Sequence, residues 1–493
     1  MPSVTGTAGA ADQAAYTPAV RMREGLAGFA LGAIVGSWSG GCAQDLFYVC
    51  QDDAQCDLGG EQGQCLSGEC AYPNLDCPSA LAYPSGARPD IAGQCVPVDA
   101  TDTAASSDST SANDTGDTDD SSTGELPGDP ACRVSYLGGG TAHSCLLTAD
   151  GDVWCWGDNR QLELGSDVGN STPTPTRVDA LDAATVTQLS VSDHHACALT
   201  DEAVLWCWGY QQNGELFGAD LQGTYLPQPV DITGVSQFAA GGVHTCARQN
   251  TTVTCWGDTF WGQSGGKQGN SFNTLLSAVT SGFVELGTRH SCAQTTREAP
   301  SFSGVECWGD DERGQLGNGG PIVDGDTSMV PVAVEGLPQP ASALALGDRH
   351  SCALIDGQTW CWGEDARGQL LGGGDTSSAR RLEQVPVVKS LWAGSWHTCT
   401  LTDEGTVWCW GDNAYGQVDP LQDGLDVGLW QLTDSLEGSV GEPVTFDVVG
   451  SGGDHSCGWS PSLGVVCWGR DDHGQLGTRI GATVGRVALP GCP

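Results

Sequence analysis

The stretch Gly347-Asp348-Arg349-His350-Ser351-Cys352-Ala353-Leu354-Ile355-Asp356-Gly357-Gln358-Thr359-Trp360-Cys361-Trp362-Gly363 decides the fold. Apolar runs flank Asp356-Gly357, and Asp-Gly favours a two-residue type I′ turn. A hairpin centred there sets Cys352 directly opposite Cys361. Opposed side chains on one face of an antiparallel pair stand ~4.5–5.5 Å apart at Cβ. A disulfide wants ~3.8 Å, so a slight adjustment bridges the two. Trp360 alternates with Cys361 and projects from the other face of the strand.

The pattern recurs, and internal repeats of this length signal a stacked or circular architecture. Cys-Trp-Gly begins at Cys155, Cys207, Cys255, Cys307, Cys361, Cys409 and Cys467, at intervals of 48 to 58 residues. Each triplet follows an earlier cysteine: Cys145, Cys197, Cys246, Cys292, Cys352, Cys399 and Cys457. A histidine stands two residues before each of these: His143, His195, His244, His290, His350, His397 and His455. The interval suits one four-stranded propeller blade. Hairpin geometry therefore predicts seven in-blade bridges. Four pairs are one residue longer than 352/361, and 292/307 is stretched by an insertion through Ser301. A turn ending in Gly-Gln-Leu-Gly often follows, as in Gly314-Gln315-Leu316-Gly317 and Gly474-Gln475-Leu476-Gly477.

Gly347 to Leu354 with Cys361-Trp362-Gly363 and Gly368-Gln369-Leu370 resembles the regulator of chromosome condensation repeat family. The resemblance covers residues 132 to 492. It implies an all-β, seven-bladed propeller over 130–493, with one disulfide per blade. Several copies are degraded, as at Gly214-Glu215-Leu216, Gly262-Gln263-Ser264 and Gly416-Gln417-Val418. Two cysteines remain, Cys132 and Cys492. They are expected to bridge as a latch, with the two chain ends completing one blade. The family acts mostly through protein–protein contact. Its eukaryotic members include guanine-nucleotide exchange factors for a small nuclear GTPase.

Upstream, the chain changes character. Arg21 and Arg23 precede an apolar run from Leu26 to Val35, then Ser39-Gly40-Gly41-Cys42. Residues 1–41 read as a signal peptide, with Met22 the better start. Small residues before Cys42 resemble a bacterial lipobox, so Cys42 is the expected lipidation site. Ser39 departs from the usual leucine there, and ordinary cleavage is the rival. Residues 42–96 hold Cys50, Cys56, Cys65, Cys70, Cys77 and Cys95 with few aliphatics, which reads as a small disulfide-rich module. Zinc is the rival there, but the segment has no histidine and no CxxC. Residues 97–129 carry nine acidic side chains and no basic or aromatic one. Such a segment reads as a disordered, extended acidic linker.

Composition bounds the function. The 493 residues include 23 cysteines, 72 glycines and 17 tryptophans, with a net charge of −42. Lys267 and Lys389 are the only lysines, so no clustered basic face for nucleic acid is expected. The cysteine count points to an oxidising compartment. No HExxH zinc helix and no phosphate-cradling GxxxxGK[ST] occurs. Acidic pairs after Trp-Gly, such as Asp310-Asp311 and Asp471-Asp472, read as turn chemistry. The seven histidines could ring a metal, but a motif repeated in every unit reads as structural, each imidazole bonded to backbone. The Cys-Trp-Gly tryptophans read as core. Trp261, Trp392, Trp396, Trp430 and Trp459 lie outside the repeat positions and are the interface candidates. The expectation is a monomeric, non-enzymatic scaffold with no catalytic residues, cofactor or metal. It is exported to the outer membrane or cell surface, touches the membrane only through its lipid, and binds a protein ligand. A guanine-nucleotide exchange activity and a loop-borne lyase or hydrolase are the alternatives.

Overall fold

The computed structural model describes residues 133–490, apart from short stretches at 183, 217–222, 267–272, 278, 299–300, 422–426, 433–435, 437–443 and 479, together with the backbone of five short strands between 57 and 82. The chain divides into two units, 1–121 and 122–493. In the first, Asp57–Leu58 pairs with Glu61–Gln62, and Gln64–Leu66, Glu69–Pro73 and Leu81–Ala82 form a three-stranded sheet. Cys42, the acidic linker, Cys132 and Cys492 lie outside the described residues.

The second unit is a seven-bladed β-propeller. Each blade is one antiparallel sheet of four consecutive strands. Blade one runs Val134–Gly139, His143–Thr148, Val153–Asp158 and Ser171–Arg177, and blade seven ends with Val484–Val487. The expected shared blade is therefore corrected. The segments flanking the two chain ends each supply a complete strand to their own blade, and blades seven and one share no sheet.

The central hairpin of every blade has the register that the cysteine spacing demands. Cys352 pairs with Cys361, Ser351 with Trp362 and His350 with Gly363. Asp356 and Gly357 both take positive φ, 50° and 72°, as a type I′ turn requires. All seven bridges form, with Cα atoms 4.0–4.1 Å apart. The insertion in blade four extends its hairpin, which stays paired out to Glu298 and Ser301. The glycine of Cys-Trp-Gly is obligatory for two reasons. Gly157 has φ +105°, and a Cβ there would sit 2.6 Å from the Ala142 carbonyl.

The core is divided into seven interblade layers. Each joins the disulfide of one blade to the Cys-Trp-Gly tryptophan of the next. Cys145 and Cys155 share a layer with Trp208, and Cys292 and Cys307 with Trp362. All seven of these tryptophans are fully buried. The repeat unit therefore cannot bury its apolar face alone and needs a neighbour on each side. At the closure, Val134 and Leu137 of blade one pack with Val487 and Leu489 of the last segment around Trp156.

Candidate functional site

Polar groups run between the blades and explain most of the motif. Six histidines place Nε2 2.7–3.1 Å from a serine or threonine hydroxyl of the next blade. That hydroxyl follows the next blade's own histidine. The expected bond to backbone within the blade is thus corrected, because the bond crosses the joint. Ser144, Thr245, Ser291 and Ser351 in turn donate to the carbonyl of the Gln or Glu in the preceding turn, at 2.7–3.0 Å. The indole Nε1 of six Cys-Trp-Gly tryptophans donates to the same set of carbonyls. These Ser–His pairs resemble nucleophile dyads in distance alone. Where the serine proton is committed to a carbonyl and the oxygen is fully buried, no substrate can reach it. Among the described residues no group of three His, Cys, Asp or Glu could hold a metal.

Burial pushes these imidazoles far down, to about 4 for His350 and about 3 for the other six. The glycine three residues before six of these histidines is favoured by close approach. A Cβ on Gly347 would lie 2.3 Å from the His350 ring and 2.6 Å from the Gly394 carbonyl. Blade two has Ser192 there instead, and its hydroxyl sits 2.7 Å from His195 Nδ1. The central channel holds a cavity of ≈ 100 Å³, smaller than the ~300 Å³ at which ligand clefts begin. Thr288 donates to Asp348 at 2.5 Å in its wall, and burial, reinforced by Asp193, raises the Asp348 carboxyl to about 6.

Because strands alternate in direction, the turn before each histidine and the loop after each Cys-Trp-Gly lie at the same end of every blade. That end is a mosaic of arginine and aromatic side chains. The Arg289 guanidinium lies 5.0 Å over the Trp261 ring, and Phe260 packs edge-on against Trp261 at 4.9 Å. Phe260 is 65% exposed, and Met329 borders the same turn at Gly262. Arg470 covers Tyr415 at 4.8 Å, and His194 meets Tyr210 edge-on at 6.5 Å. Arg367 of blade five reaches Asp412 of blade six at 2.8 Å. Arginine, tryptophan, tyrosine and methionine are the residue types enriched in interface cores. Of the five tryptophans singled out in the sequence, Trp261 and Trp396 lie half-buried at this end. Trp430 is 37% exposed on an outer strand, Trp392 packs partly against a core layer, and Trp459 is buried within one. Asp311 and Asp471 accept the backbone N–H of Leu316 and Leu476 at 3.0 Å, so these acids cap turns.

Sequence reasoning missed Arg289, Phe260, Tyr415 and Arg470. The signal for Arg289 is the pair of positions between glycine and histidine, and for Phe260, Tyr415 and Arg470 the loop after Trp-Gly, both of which vary while the flanking residues repeat.

Profiles of the regulator of chromosome condensation (RCC1) repeat match residues 134–161, 186–215 and 388–417, and residues 150–199 and 306–354. Over those residues the chain is similar to regulator of chromosome condensation repeats. Human E3 ubiquitin-protein ligase HERC2 is 29% identical over 286 residues, 54% of this chain and 6% of the ligase. The ultraviolet-B receptor UVR8 of Arabidopsis thaliana is 28% identical over 263 residues, 51% of this chain and 58% of the receptor. This chain thus spans less than two thirds of either relative. Among solved structures, Prp20p from Saccharomyces cerevisiae aligns with a TM-score of 0.57 at 21% identity. It covers 65% of this chain and 80% of its own, and it was described with its binding to Gsp1p and histones. That likeness is one of fold. It supports the propeller fold.

Proposed function

We propose that this RCC1-repeat propeller is an exported, non-enzymatic scaffold that docks a protein partner on the end carrying the Gly-x-x-His turns. The observation that carries the reading is the exposed Phe260 beside Trp261 and Arg289 on that end. Seven buried disulfides fit an oxidising compartment. That favours an extracellular or envelope partner over a cytosolic GTPase, although Prp20p binds Gsp1p.

The test is a comparison of two ends. Phe260→Ala with Trp261→Ala is expected to weaken binding of the partner recovered by wild type at least tenfold. Val387→Ala, an exposed position beside the Gly357 hairpin at the opposite end, is expected to leave it unchanged. The reverse pattern rejects the assignment. We further propose that Cys42 carries the lipid that holds the scaffold at the outer membrane. Globomycin should accumulate a precursor, and Cys42→Ser should move the protein to the soluble fraction. Unchanged processing with a membrane-bound Cys42→Ser rejects the anchor.

A further inference from the structure

The joint between blades one and two keeps its tryptophan bond to the Glu163 carbonyl but lacks the histidine–hydroxyl bond of the other six joints. The residue after His195 is Ala196, so no hydroxyl meets His143, whose Nε2 has no partner although the side chain is 1% exposed. The turn of blade one reads Gln161-Leu162-Glu163-Leu164-Gly165. Leu162 takes φ +62° where the other six blades place glycine at 77° to 83°. Glu163 stands where five blades have glutamine.

The glutamine has a defined role. Its Oε1 accepts the N–H two residues earlier, and in blades three, six and seven its Nε2 donates to an aspartate at 3.1–3.3 Å. Glu163 keeps the first bond, accepting the Gln161 N–H at 2.8 Å through Oε2. It loses the second, because it has no donor. Its carboxylate also takes a backbone hydrogen bond from Glu163 itself, while Asp158 repels it and Arg160 attracts it.

A cleft of ≈ 200 Å³ opens at this place, lined by His143, Glu163, Asp158, Asp193, His194 and, from blade seven, Asp472 with its neighbours. It is smaller than the ~300 Å³ of ordinary ligand clefts and suits one functional group. Its two arginines are already committed. Arg160 binds Asp158 at 2.7 and 2.9 Å and reaches His473 at 3.2 Å. Arg470 binds Asp472 at 2.6 and 2.9 Å and Asp454 at 3.2 Å. Glu163 and Asp193 have no such cation. Asp193 accepts the Thr141 hydroxyl at 3.2 Å, and burial raises its carboxyl, so it too ionises more readily once a cation sits beside it. Four carboxyls against two guanidiniums leave the lining formally at −2, with His143 held neutral by burial.

We propose that this cleft receives the ammonium or guanidinium head of a partner's lysine or arginine side chain, with Glu163 and Asp193 as its acceptors. The assignment rests on the protein-binding reading above and names what the partner inserts beside the aromatic patch. In the empty cleft a proton does part of the same work. Burial raises the Glu163 carboxyl to about 7, and binding a cation displaces that proton.

The experiment is calorimetry on the full, oxidised chain with capped lysine and capped arginine, capped glutamate as the anionic control, and putrescine as a free diamine. Capped lysine should saturate one site, and its affinity should rise roughly tenfold from pH 6 to pH 8 as Glu163 ionises. Asp158 and Asp472 stay ionised across that range, because their arginines outweigh burial. Glu163→Gln restores the residue of five other blades, so it should fold normally. It should lower the affinity at least tenfold and flatten the pH dependence. Absence of saturable binding by the cations, or unchanged affinity in Glu163→Gln, overturns the site and leaves the Phe260 and Trp261 test standing. Putrescine binding more than tenfold tighter than capped lysine overturns the side-chain assignment in favour of a free amine.

Discussion

Reduced and alkylated in denaturant, the propeller is expected to remain unfolded when the denaturant is removed. Each of six bridges closes a loop of about 10 residues, with sequence separations of 9 or 10, and the seventh spans 15. The loop-entropy relation gives roughly 2.7 kcal/mol for such a loop, or roughly 19 kcal/mol for seven. Even half of that is comparable with the ~5–15 kcal/mol by which folded domains exceed their unfolded chains. Interblade hydrogen bonds, at ~1 kcal/mol net each, do not replace it. The half-cystines are also the floor of each core layer, so alkyl groups on them would overpack it. Circular dichroism after alkylation reads the result. One pair alone, Cys352→Ala with Cys361→Ala, should lower stability by about 3 kcal/mol and leave a folded ring. A fully alkylated chain with native near-ultraviolet signal and melting point would show that the bridges are ornamental.

Acid should weaken the fold well before its carboxylates are exhausted. The seven buried histidines titrate at about 3 to 4 in the folded chain, below the ~6.5 of an unfolded one. The unfolded chain therefore takes these protons first. Stability is present in full above pH ~6.5 and is lost as pH falls towards 4. Raised carboxyls act in the opposite sense. Glu163 near 7, Glu285 near 8, and Asp311 and Asp348 near 6 hold protons that the unfolded chain has shed. Burial also raises the carboxyls of Asp193, Glu215, Asp310, Glu364, Asp454 and Asp471, so fewer than about three net protons enter on unfolding between pH 5 and 6. At ~1.36 kcal/mol per proton per pH unit this is below roughly 4 kcal/mol per unit. With ~2.1 cal/mol/K per residue over about 360 residues, the melting temperature should fall by less than roughly 5 °C per unit. His350→Asn should reduce that slope by about one proton. A melting temperature that holds or rises from pH 6.5 to 5 would contradict the sign.

The blades were legible because a hairpin converts spacing along the chain directly into opposition in space. Cys352 and Cys361 are nine residues apart with Asp-Gly between them, and no tertiary information is needed to pair them. The tryptophan after each second cysteine was legible as core for the same reason. What spacing does not reveal is which blade a side chain faces. His290 bonds Ser351, 61 residues away, and only the ring brings them together. A serine or threonine follows six of the seven histidines, and Ala196 is the exception, so the clue was present without its partner. Arg289, Tyr415 and Arg470 sit at variable positions, where no repeat argument reaches. The shared blade failed because Val134–Gly139 and Val484–Val487 are each long enough to be a strand in their own blade.

Blade seven and blade one have no peptide between them, yet their joint is fully made. His455 meets Ser144 at 2.7 Å, and the Gln475 carbonyl takes both Ser144 and Trp156 at 2.9 Å. Blades one and two are joined by peptide, yet that joint lacks its histidine bond. Covalent continuity and adhesion are thus distributed in opposite senses around the circle. Mechanically, the molecule is a necklace whose clasp is as firm as its links, with its slackest link beside the clasp. A force applied to the ends is first borne by the clasp. A change in the ring's diameter, as a partner wedges into its mouth, is first taken up between blades one and two.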